Sequence, residues 1–227
     1  MRGDLDEFMK LFLGRPNPDD PPDCKAARDA FDNGYYNRAL GRWPRHYVNE
    51  RRALAAYKRK ERAGPALAAI DKRMKRLYVS AFQSALFNEI LVRRIGSIDR
   101  VFVGDLARKA DRGGIFAVED AAAEQPRADA FEISPTGAIP GYRCRLAEGP
   151  GGEIERAVLA ERGLRLEDLR RAGRLKVKGT RRALRFRMGE ASLSAGADEH
   201  GEYLWLAFVA PPGSYATVAL REIMKDE

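Results

Sequence analysis

The stretch Leu77-Tyr-Val-Ser-Ala-Phe-Gln-Ser-Ala-Leu-Phe-Asn-Glu-Ile-Leu-Val-Arg-Arg94 decides the fold of this chain more than any other part of the sequence. Large apolar side chains recur along it every four residues, at Tyr78, Phe82, Leu86 and Ile90. That spacing places them on one face of a helix. Other apolar residues flank this row and widen it: Ala81, Ala85, Phe87 and Leu91. The pattern therefore predicts a helix over 77–94 that is packed on more than one side.

A line of polar side chains interrupts the apolar surface of this helix, at Ser80, Ser84 and Asn88, with Gln83 beside it. Residues four apart lie above one another on the same helical face. A polar group on a buried helix needs a hydrogen-bond partner. Two roles are open for the stripe: a network with neighbouring backbone, or a face toward a ligand or an RNA.

The rest of the chain predicts an α+β fold in which helices and strands of no fixed period alternate. Residues 1–76 read as short helices. After Gly96 strands and turns appear, and residues 153–174 are helical with an interruption at Gly163. The segment Gly149-Pro-Gly-Gly152 predicts a flexible loop, and residues 176–188 and 203–210 predict strands.

Composition excludes several classes of protein. The chain has 227 residues, 44% of them hydrophobic and 33% charged, which is typical of a soluble globular protein. No apolar run reaches the roughly 18 residues of a membrane span, and the N-terminus lacks the apolar core of a secretory signal. Two cysteines and two histidines, far apart in sequence, support neither a disulfide framework nor a zinc site. We therefore expect no metal, no cofactor and a reducing cytoplasm.

The charge of the chain is clustered and points to a polyanionic partner. The formal net charge is +8, and residues 25–76 carry fifteen Lys/Arg against five Asp/Glu. A second block holds six basic residues and no acidic one: Lys176, Lys178, Arg181, Arg182, Arg185 and Arg187. Clustering of this kind predicts phosphate contacts with RNA. The alternative is a solvated basic face, and in residues 25–76 the cations could coat an exposed helix.

Three segments resemble the TruD family of tRNA pseudouridine synthases. The helix sequence Tyr78 to Asn88, followed by Arg93-Arg94, is similar to the family's S-A-x-x-S-x-L-F-N helix. Ile133-Ser-Pro-Thr-Gly-Ala-Ile-Pro-Gly141, preceded by Gly104-Asp105, resembles its T-G-P-L-P-G turn. Gly179-Thr-Arg-Arg-Ala-Leu184 pairs with Pro212-Gly-Ser-Tyr-Ala-Thr217 and Leu220-Arg-Glu222 as the third. Residues 1–76 resemble the family only in general character.

The resemblance implies an enzyme that isomerises a uridine in the D-arm of tRNA, at position 13 in the family, to pseudouridine. It implies a helical segment over 1–76 that leads into a family-specific insertion domain of helices and a small mixed sheet over 77–202. Residues 203–227 would return, as a strand and a helix, to the catalytic domain. The partner would be tRNA, and the sequence does not predict an oligomeric state.

The resemblance also leaves a gap, because family members carry a catalytic aspartate in a G-x-K-D-R-x-A-x-T-x-Q segment. No such segment occurs here, and the nearest match, Lys109-Ala-Asp-Arg-Gly113, has Ala110 in place of the motif's lysine and no T-x-Q after it. We therefore assign no catalytic residue and do not expect Asp111 to be one. Two hypotheses follow: a truncated synthase that is inactive alone, or a non-catalytic RNA-binding module derived from the insertion domain. A basic ribosome-associated protein is a weaker third.

A further set of residues is expected to support the site by resemblance. The turn after Pro211-Pro212 borders the active-site cleft in the family, and Ser214 is placed to cap a short C-terminal helix. The complete set of expected support residues is Gln83, Ser84, Asn88, Ser214, Tyr215, Thr217 and Arg221. Tyr35, Tyr36 and Trp43 lie near arginines and could stack on bases, but an aromatic core is the favoured role.

Overall fold

A computed structural model of the chain describes residues 4–170 and 177–225, together with every side chain among them except that of Arg170. The α+β prediction is confirmed. The chain divides into two compact units. The first consists of the described residues up to Phe82 and those between Glu167 and Val177. The second consists of residues from Gln83 to Leu166 and from Lys178 onward.

The first unit is helical, as residues 1–76 predicted. Its helices are α1 (Leu5–Leu13), α2 (Pro22–Asp32), α3 (Tyr36–Arg42), α4 (Val48–Lys60), α5 (Ala63–Ala69) and the first half of α6 (Lys72–Arg94). Their apolar faces enclose one core, with Met9, Leu13, Trp43, Leu54 and Ile70 at its centre. Asp4 begins α1 by accepting a hydrogen bond of 2.9 Å from the Glu7 N–H, which satisfies one of the free donors at a helix start.

The second unit is built on a four-stranded sheet in the order β2-β1-β3-β4. The strands are β1 (Leu106–Lys109), β2 (Ile115–Ala117), β3 (Ile133–Ile139) and β4 (Thr180–Ala183). The helices of this unit besides the second half of α6 are α7 (Ala121–Asp129), α8 (Gly149–Glu161) and α10 (Ala216–Met224), while α9 (Leu166–Arg170) begins at its boundary. Every described strand pair is antiparallel, so the mixed pairing that we expected is wrong.

The predicted flexible loop at 149–152 is instead the first turn of α8, and this prediction was wrong. Glycine is needed here for close approach, because a Cβ at Gly151 would lie 2.1 Å from Oδ1 of Asp105. The strand predicted over 176–188 is also shorter, since β4 covers only Thr180–Ala183. Glycines that mark flexibility in a sequence can equally mark tight packing.

A two-stranded hairpin and a helix complete the described chain. Strand β5 (Gly189–Asp198) pairs with β6 (Gly201–Val209). Strand β6 corresponds to the strand predicted over 203–210. Successive side chains of a strand point to opposite faces, and both faces of β6 expose large apolar groups, with Leu204 72% and Trp205 63% exposed. This hairpin buries little of its apolar surface within the chain.

Candidate nucleic-acid interface

Two glycines approach each other closely and join the basic block to the turn that follows β3. This turn, residues 140–143, is called the β3 turn from here on. A Cβ at Gly141 would lie 2.2 Å from the Gly179 nitrogen, and one at Gly179 would lie 2.5 Å from the Gly141 nitrogen. Gly179 also has a φ of 72°, in the region where glycine is favoured. Beside this contact, the Arg143 N–H donates a hydrogen bond of 2.9 Å to the Lys178 carbonyl. The segments around 143 and 178 are therefore fixed side by side.

Arg181 lies inside the unit rather than on its surface. Its guanidinium pairs with the Glu155 carboxylate at 2.6 Å and 3.2 Å. It also donates to Thr136 Oγ1, the Thr136 carbonyl and the Arg145 carbonyl, at 2.7, 2.8 and 2.8 Å. All five donors of the guanidinium are thus used, and the residue is only 7% exposed. The expectation that Arg181 contacts phosphate is not met in this structure, because α8 supplies the acid that the block itself lacks.

Glu155 holds three parts of the unit together around this buried ion pair. Besides Arg181, its carboxylate accepts hydrogen bonds from the Ala138 N–H at 3.0 Å and the Ala147 N–H at 2.8 Å. Buried charges are stable only when paired and hydrogen-bonded. Helix α8, strand β3 and the segment after Gly141 are therefore locked in one arrangement.

Three exposed cations surround this locked core: Arg143, Arg145 and Lys178, called the basic edge from here on. Lys178 was predicted from the sequence, and the two arginines were not. No local signal in the sequence marks the two arginines. They flank Cys144, which is buried and donates a hydrogen bond of 3.2 Å to the Thr180 carbonyl. Both arginines are exposed on either side of this buried thiol.

The other predicted cations lie in different surroundings. Arg182 is half-buried, with its guanidinium 5.4 Å from the ring centre of Phe87. Arg185 lies 4.3 Å from the ring centre of Phe131 and donates to the Ala128 carbonyl. Arg187 is exposed, while Lys176 lies outside the described residues. Only Lys178 and Arg187 of the predicted block are therefore fully available to a phosphate in the described structure.

Helix α6 is packed on one side, not on several. Leu86, Phe87 and Ile90 are buried, whereas Leu77 and Val92 are exposed. Of the polar stripe, Gln83 donates a hydrogen bond of 2.6 Å to the Pro140 carbonyl. Ser84 is half-buried and Asn88 is exposed. Gln83 therefore supports the β3 turn from within the fold, while Asn88 faces outward.

The motif residues Arg94 and Asp105 form a second buried ion pair, at 3.0 Å. Asp105 also accepts a hydrogen bond of 3.0 Å from the Phe102 N–H. Burial raises the pKa of Asp105 above its ordinary value, and the neighbouring Arg94 opposes that shift. The pair joins the end of α6 to the start of β1, so this part of the motif is structural.

Burial has a larger effect on the thiol at the centre of the basic edge. It raises the pKa of Cys144 to about 11, and the nearby Arg181 charge only partly opposes it. Cys144 is therefore a neutral thiol at physiological pH, and a thiolate nucleophile is not expected here.

The C-terminal support residues lie on or beside α10. Ser214 does not cap this helix: the N-cap is Tyr215, and no side chain caps it. Tyr215, Thr217 and Arg221 are exposed. Within residues 4–170 and 177–225, no hydrogen bond, ion pair or ring contact joins α10 to α6 or β4. The structure therefore does not bring the two predicted groups of support residues together.

Asp111 lies in the turn between β1 and β2, with a side chain that is 67% exposed and 3.6 Å from Arg112. A catalytic carboxylate works in a secluded pocket, and that Asp111 is not catalytic stays a prediction. Among the described residues there is no cluster of three or more metal-ligating side chains. A search of their helices finds none that is long and apolar enough to cross a membrane.

This fold and this surface together define a class of protein: an α+β protein with a rigid cationic edge. Comparison with known proteins identifies its family: the model for tRNA pseudouridine synthase D (TruD) matches residues 1–223. The chain belongs to the TruD family.

Individual relatives match most or all of the chain. It is 39% identical over 228 residues to the tRNA pseudouridine synthase D of Geobacter sp. (strain M21), covering 100% of this chain and 56% of that protein. It is 42% identical over 178 residues to that of Anaeromyxobacter dehalogenans (strain 2CP-1), covering 78% and 49%. A crystal structure of a TruD protein from Methanosarcina mazei matches with a TM-score of 0.84 at 27% identity, covering 99% and 55%. The chain spans about half the length of these relatives.

Proposed function

We propose that this chain provides tRNA-binding surface of a TruD-type tRNA pseudouridine synthase, which isomerises a D-arm uridine. The observation that carries the proposal is the basic edge, in a chain that the family model matches over residues 1–223. Arg143, Arg145 and Lys178 come from two segments whose backbones are held together, because the Arg143 N–H donates to the Lys178 carbonyl and the Arg145 carbonyl accepts from Arg181. A rigid backbone beneath these exposed side chains lowers the ordering cost of phosphate contacts, because only the side chains have to be ordered.

The buried Arg181–Glu155 pair gives this surface its rigidity. Arg181 donates to the carbonyl of Arg145, and Glu155 accepts from the backbone two residues later. In this proposal Arg181 is a positioning residue and does not touch RNA, while Lys178 and Arg187 remain phosphate-contacting residues. Arg182 and Arg185 are half-buried, so we expect smaller contributions from them than from the exposed cations.

We further propose that residues 203–227 return to the catalytic domain and that this chain forms no pseudouridine by itself. The exposure of Leu204 and Trp205 on opposite faces of β6 supports the first part, because strands with two apolar faces are typical of buried sheets. The absence of the K-D-R-x-A-x-T-x-Q segment from the 227 residues supports the second. In this arrangement Tyr215, Thr217 and Arg221 would border the flipped uridine.

That same absence favours one alternative function, a non-catalytic RNA-binding module. The two functions differ in what happens when the missing chemistry is supplied. The remaining part of the Geobacter sp. (strain M21) relative, mixed with this chain and tRNA, would restore pseudouridine formation only if this chain retains its place in a synthase. Under either reading, the two free buried cysteines, Cys24 and Cys144, support a reducing cytoplasm as the compartment.

The proposal is tested by binding and turnover of one unmodified tRNA transcript. Anisotropy of labelled tRNA would measure affinity against competing duplex DNA, and primer extension after carbodiimide treatment would detect pseudouridine. We expect tRNA to bind with preference over the duplex and no pseudouridine to form. Equal affinity for both polyanions would contradict the tRNA assignment, and pseudouridine formation by the chain alone would contradict the assignment of no catalytic residue.

A further inference from the structure

The end of α2 fixes the backbone of one exposed aromatic residue, Tyr35. The Gly34 N–H donates to the Phe31 carbonyl at 3.0 Å, and the Tyr35 N–H donates to the Ala30 carbonyl at 2.8 Å. Gly34 has a φ of 76°. These two hydrogen bonds and the left-handed glycine are the marks of a Schellman helix end. The Tyr35 carbonyl then accepts a hydrogen bond of 2.9 Å from the Ala39 N–H, so its backbone is held on both sides.

The Tyr35 ring does not pack against the helix, as a side chain at this position usually does. In a Schellman end, a hydrophobic side chain at this place packs back on the last helical turns. Here that role falls to Tyr36, whose ring lies 5.6 Å from Phe31 and 5.6 Å from Tyr57. Tyr35 is 61% exposed, and no aromatic or cation–ring contact in the described chain involves it. The fold therefore holds the backbone of Tyr35 in place but does not use its ring for packing.

An open cleft of about 440 Å³ lies against this ring, lined by Gly34, Tyr35, Tyr36, Asn37, Arg38, Lys58 and Glu61. Two of its lining side chains are cations and one is an acid. Lys58 donates a hydrogen bond to Asn37 Oδ1, which holds its ammonium beside the cleft. Arg38 is exposed, and within the described chain no hydrogen bond or ion pair occupies its guanidinium. The cleft thus offers a flat aromatic surface next to two positive charges.

We propose that this cleft binds an unpaired nucleobase of the RNA, with the base stacked on Tyr35 and the neighbouring phosphates on Arg38 and Lys58. Aromatic rings beside cations are how proteins hold single-stranded nucleic acid, and the stacking tolerates any base because every base has a π-face. Glu61 limits the phosphate positions to the Arg38 and Lys58 side by repulsion. The inference rests on the proposed function and adds a second RNA contact, in the helical unit, to the basic edge.

The test compares Tyr35→Ala, Tyr35→Phe and Arg38→Ala with the unaltered chain. Leu11→Ala serves as the matched control, since Leu11 is another exposed apolar side chain of the same unit. Affinity for unmodified tRNA and for a mixed-sequence single-stranded RNA 12-mer would be measured by anisotropy at several salt concentrations, after circular dichroism has verified folding. A 2-aminopurine in the 12-mer would report stacking directly by quenching of its fluorescence.

We expect Tyr35→Ala to weaken binding about 5- to 100-fold with an unchanged salt slope, and Tyr35→Phe to bind within about three-fold of the original, because stacking needs the ring and not the hydroxyl. Arg38→Ala should lower the salt slope by about one, as for one lost phosphate contact. If the unaltered chain binds RNA and Tyr35→Ala binds equally well, this site is wrong and a protein contact is the better role. If the unaltered chain binds no RNA, the proposed function itself fails.

Discussion

The two tryptophans of the chain lie in opposite kinds of surroundings. Trp43 is 2% exposed in the core of the helical unit, where Arg28 lies 5.4 Å from its ring centre and Tyr47 packs beside it. Trp205 is 63% exposed on a two-stranded hairpin, with Leu204 on the opposite face also open. One region encloses its apolar groups within this chain, and the other does not.

This difference shows which parts of the chain are stabilised by packing within it and which need another surface to cover their apolar groups. Burial of a large apolar side chain is the dominant favourable term in folding. An isolated two-stranded hairpin is marginal in water. Stability should therefore depend on the helical unit and on the sheet around Glu155, while the hairpin should contribute little until another surface covers it.

The largest effect is expected from Trp43→Ala. Removal of a fully buried indole leaves a cavity and should lower the free energy of unfolding by about 3–5 kcal/mol. Urea denaturation followed by circular dichroism measures it. A loss below about 1 kcal/mol would show that the helical core does not depend on this ring and would break the comparison.

A loss of similar or slightly smaller size, at least about 3 kcal/mol, is expected from Glu155→Ala, because it leaves Arg181 buried without its counter-charge. Glu161→Ala is the matched control. Glu161 also pairs with an arginine, Arg93, but its side chain is 56% exposed, and exposed pairs contribute about 0–1 kcal/mol. Equal effects of the two substitutions would contradict the central role of the buried pair.

A pH dependence is expected from Cys144. Its pKa is raised to about 11 in the folded chain, above the roughly 8.5 of an unfolded cysteine. Between those values the folded state holds more protons than the unfolded state, so stability is full below about pH 8.5 and falls as pH rises toward 11. Urea midpoints at pH 8 and 10 measure the loss, which Cys144→Ala should reduce. Rapid alkylation of Cys144 at pH 8 would contradict the raised pKa.

The smallest effect is expected from Trp205→Ala. Because the indole contacts little besides its cross-strand neighbours, the change in unfolding free energy should stay below about 1 kcal/mol. The solubility of the chain should rise, since one large exposed apolar group is removed. Trp205 fluorescence in the unaltered chain should be quenched freely by acrylamide. Strong protection of Trp205 from acrylamide would mean that a second copy or another part of the chain covers the hairpin.

The sequence predicted the elements whose signal is local. Four-residue periodicity located α6, which ends at Arg94 as predicted but begins at Lys72, five residues before the predicted start at Leu77. The apolar run at 203–210 located β6 (Gly201–Val209). Both signals lie within one element, so no knowledge of neighbours was needed.

The sequence failed where a partner from another element decides the outcome. Arg181 looked like a surface cation because no acid lies near it in the block, yet Glu155 reaches it from α8. Gly151 looked flexible because its role, the approach of Asp105, is not visible locally. Arg143 and Arg145 were missed for the same reason, since the contacts that hold their backbones, with Lys178 and Arg181, come from a distant part of the sequence. Which cations form the basic edge is therefore a property of the tertiary structure.

The measurement that tests the central claim most directly is the salt dependence of tRNA binding by two triple variants. One replaces the basic edge, Arg143, Arg145 and Lys178, with alanine. The other replaces Arg108, Lys109 and Arg112 with alanine and so removes the same amount of charge around the β1–β2 turn. That turn lies at the opposite end of β3, because Lys109 pairs with Ile133 and Thr180 pairs with Ile139.

Each phosphate contact contributes about 0.9 to the slope of log affinity against log salt for a duplex and about 0.7 for a single strand. The account predicts that the basic-edge variant loses about two to three from that slope and that the control variant keeps it. Equal slopes for both variants would contradict the account, because the cations at the basic edge would then be only a solvated surface.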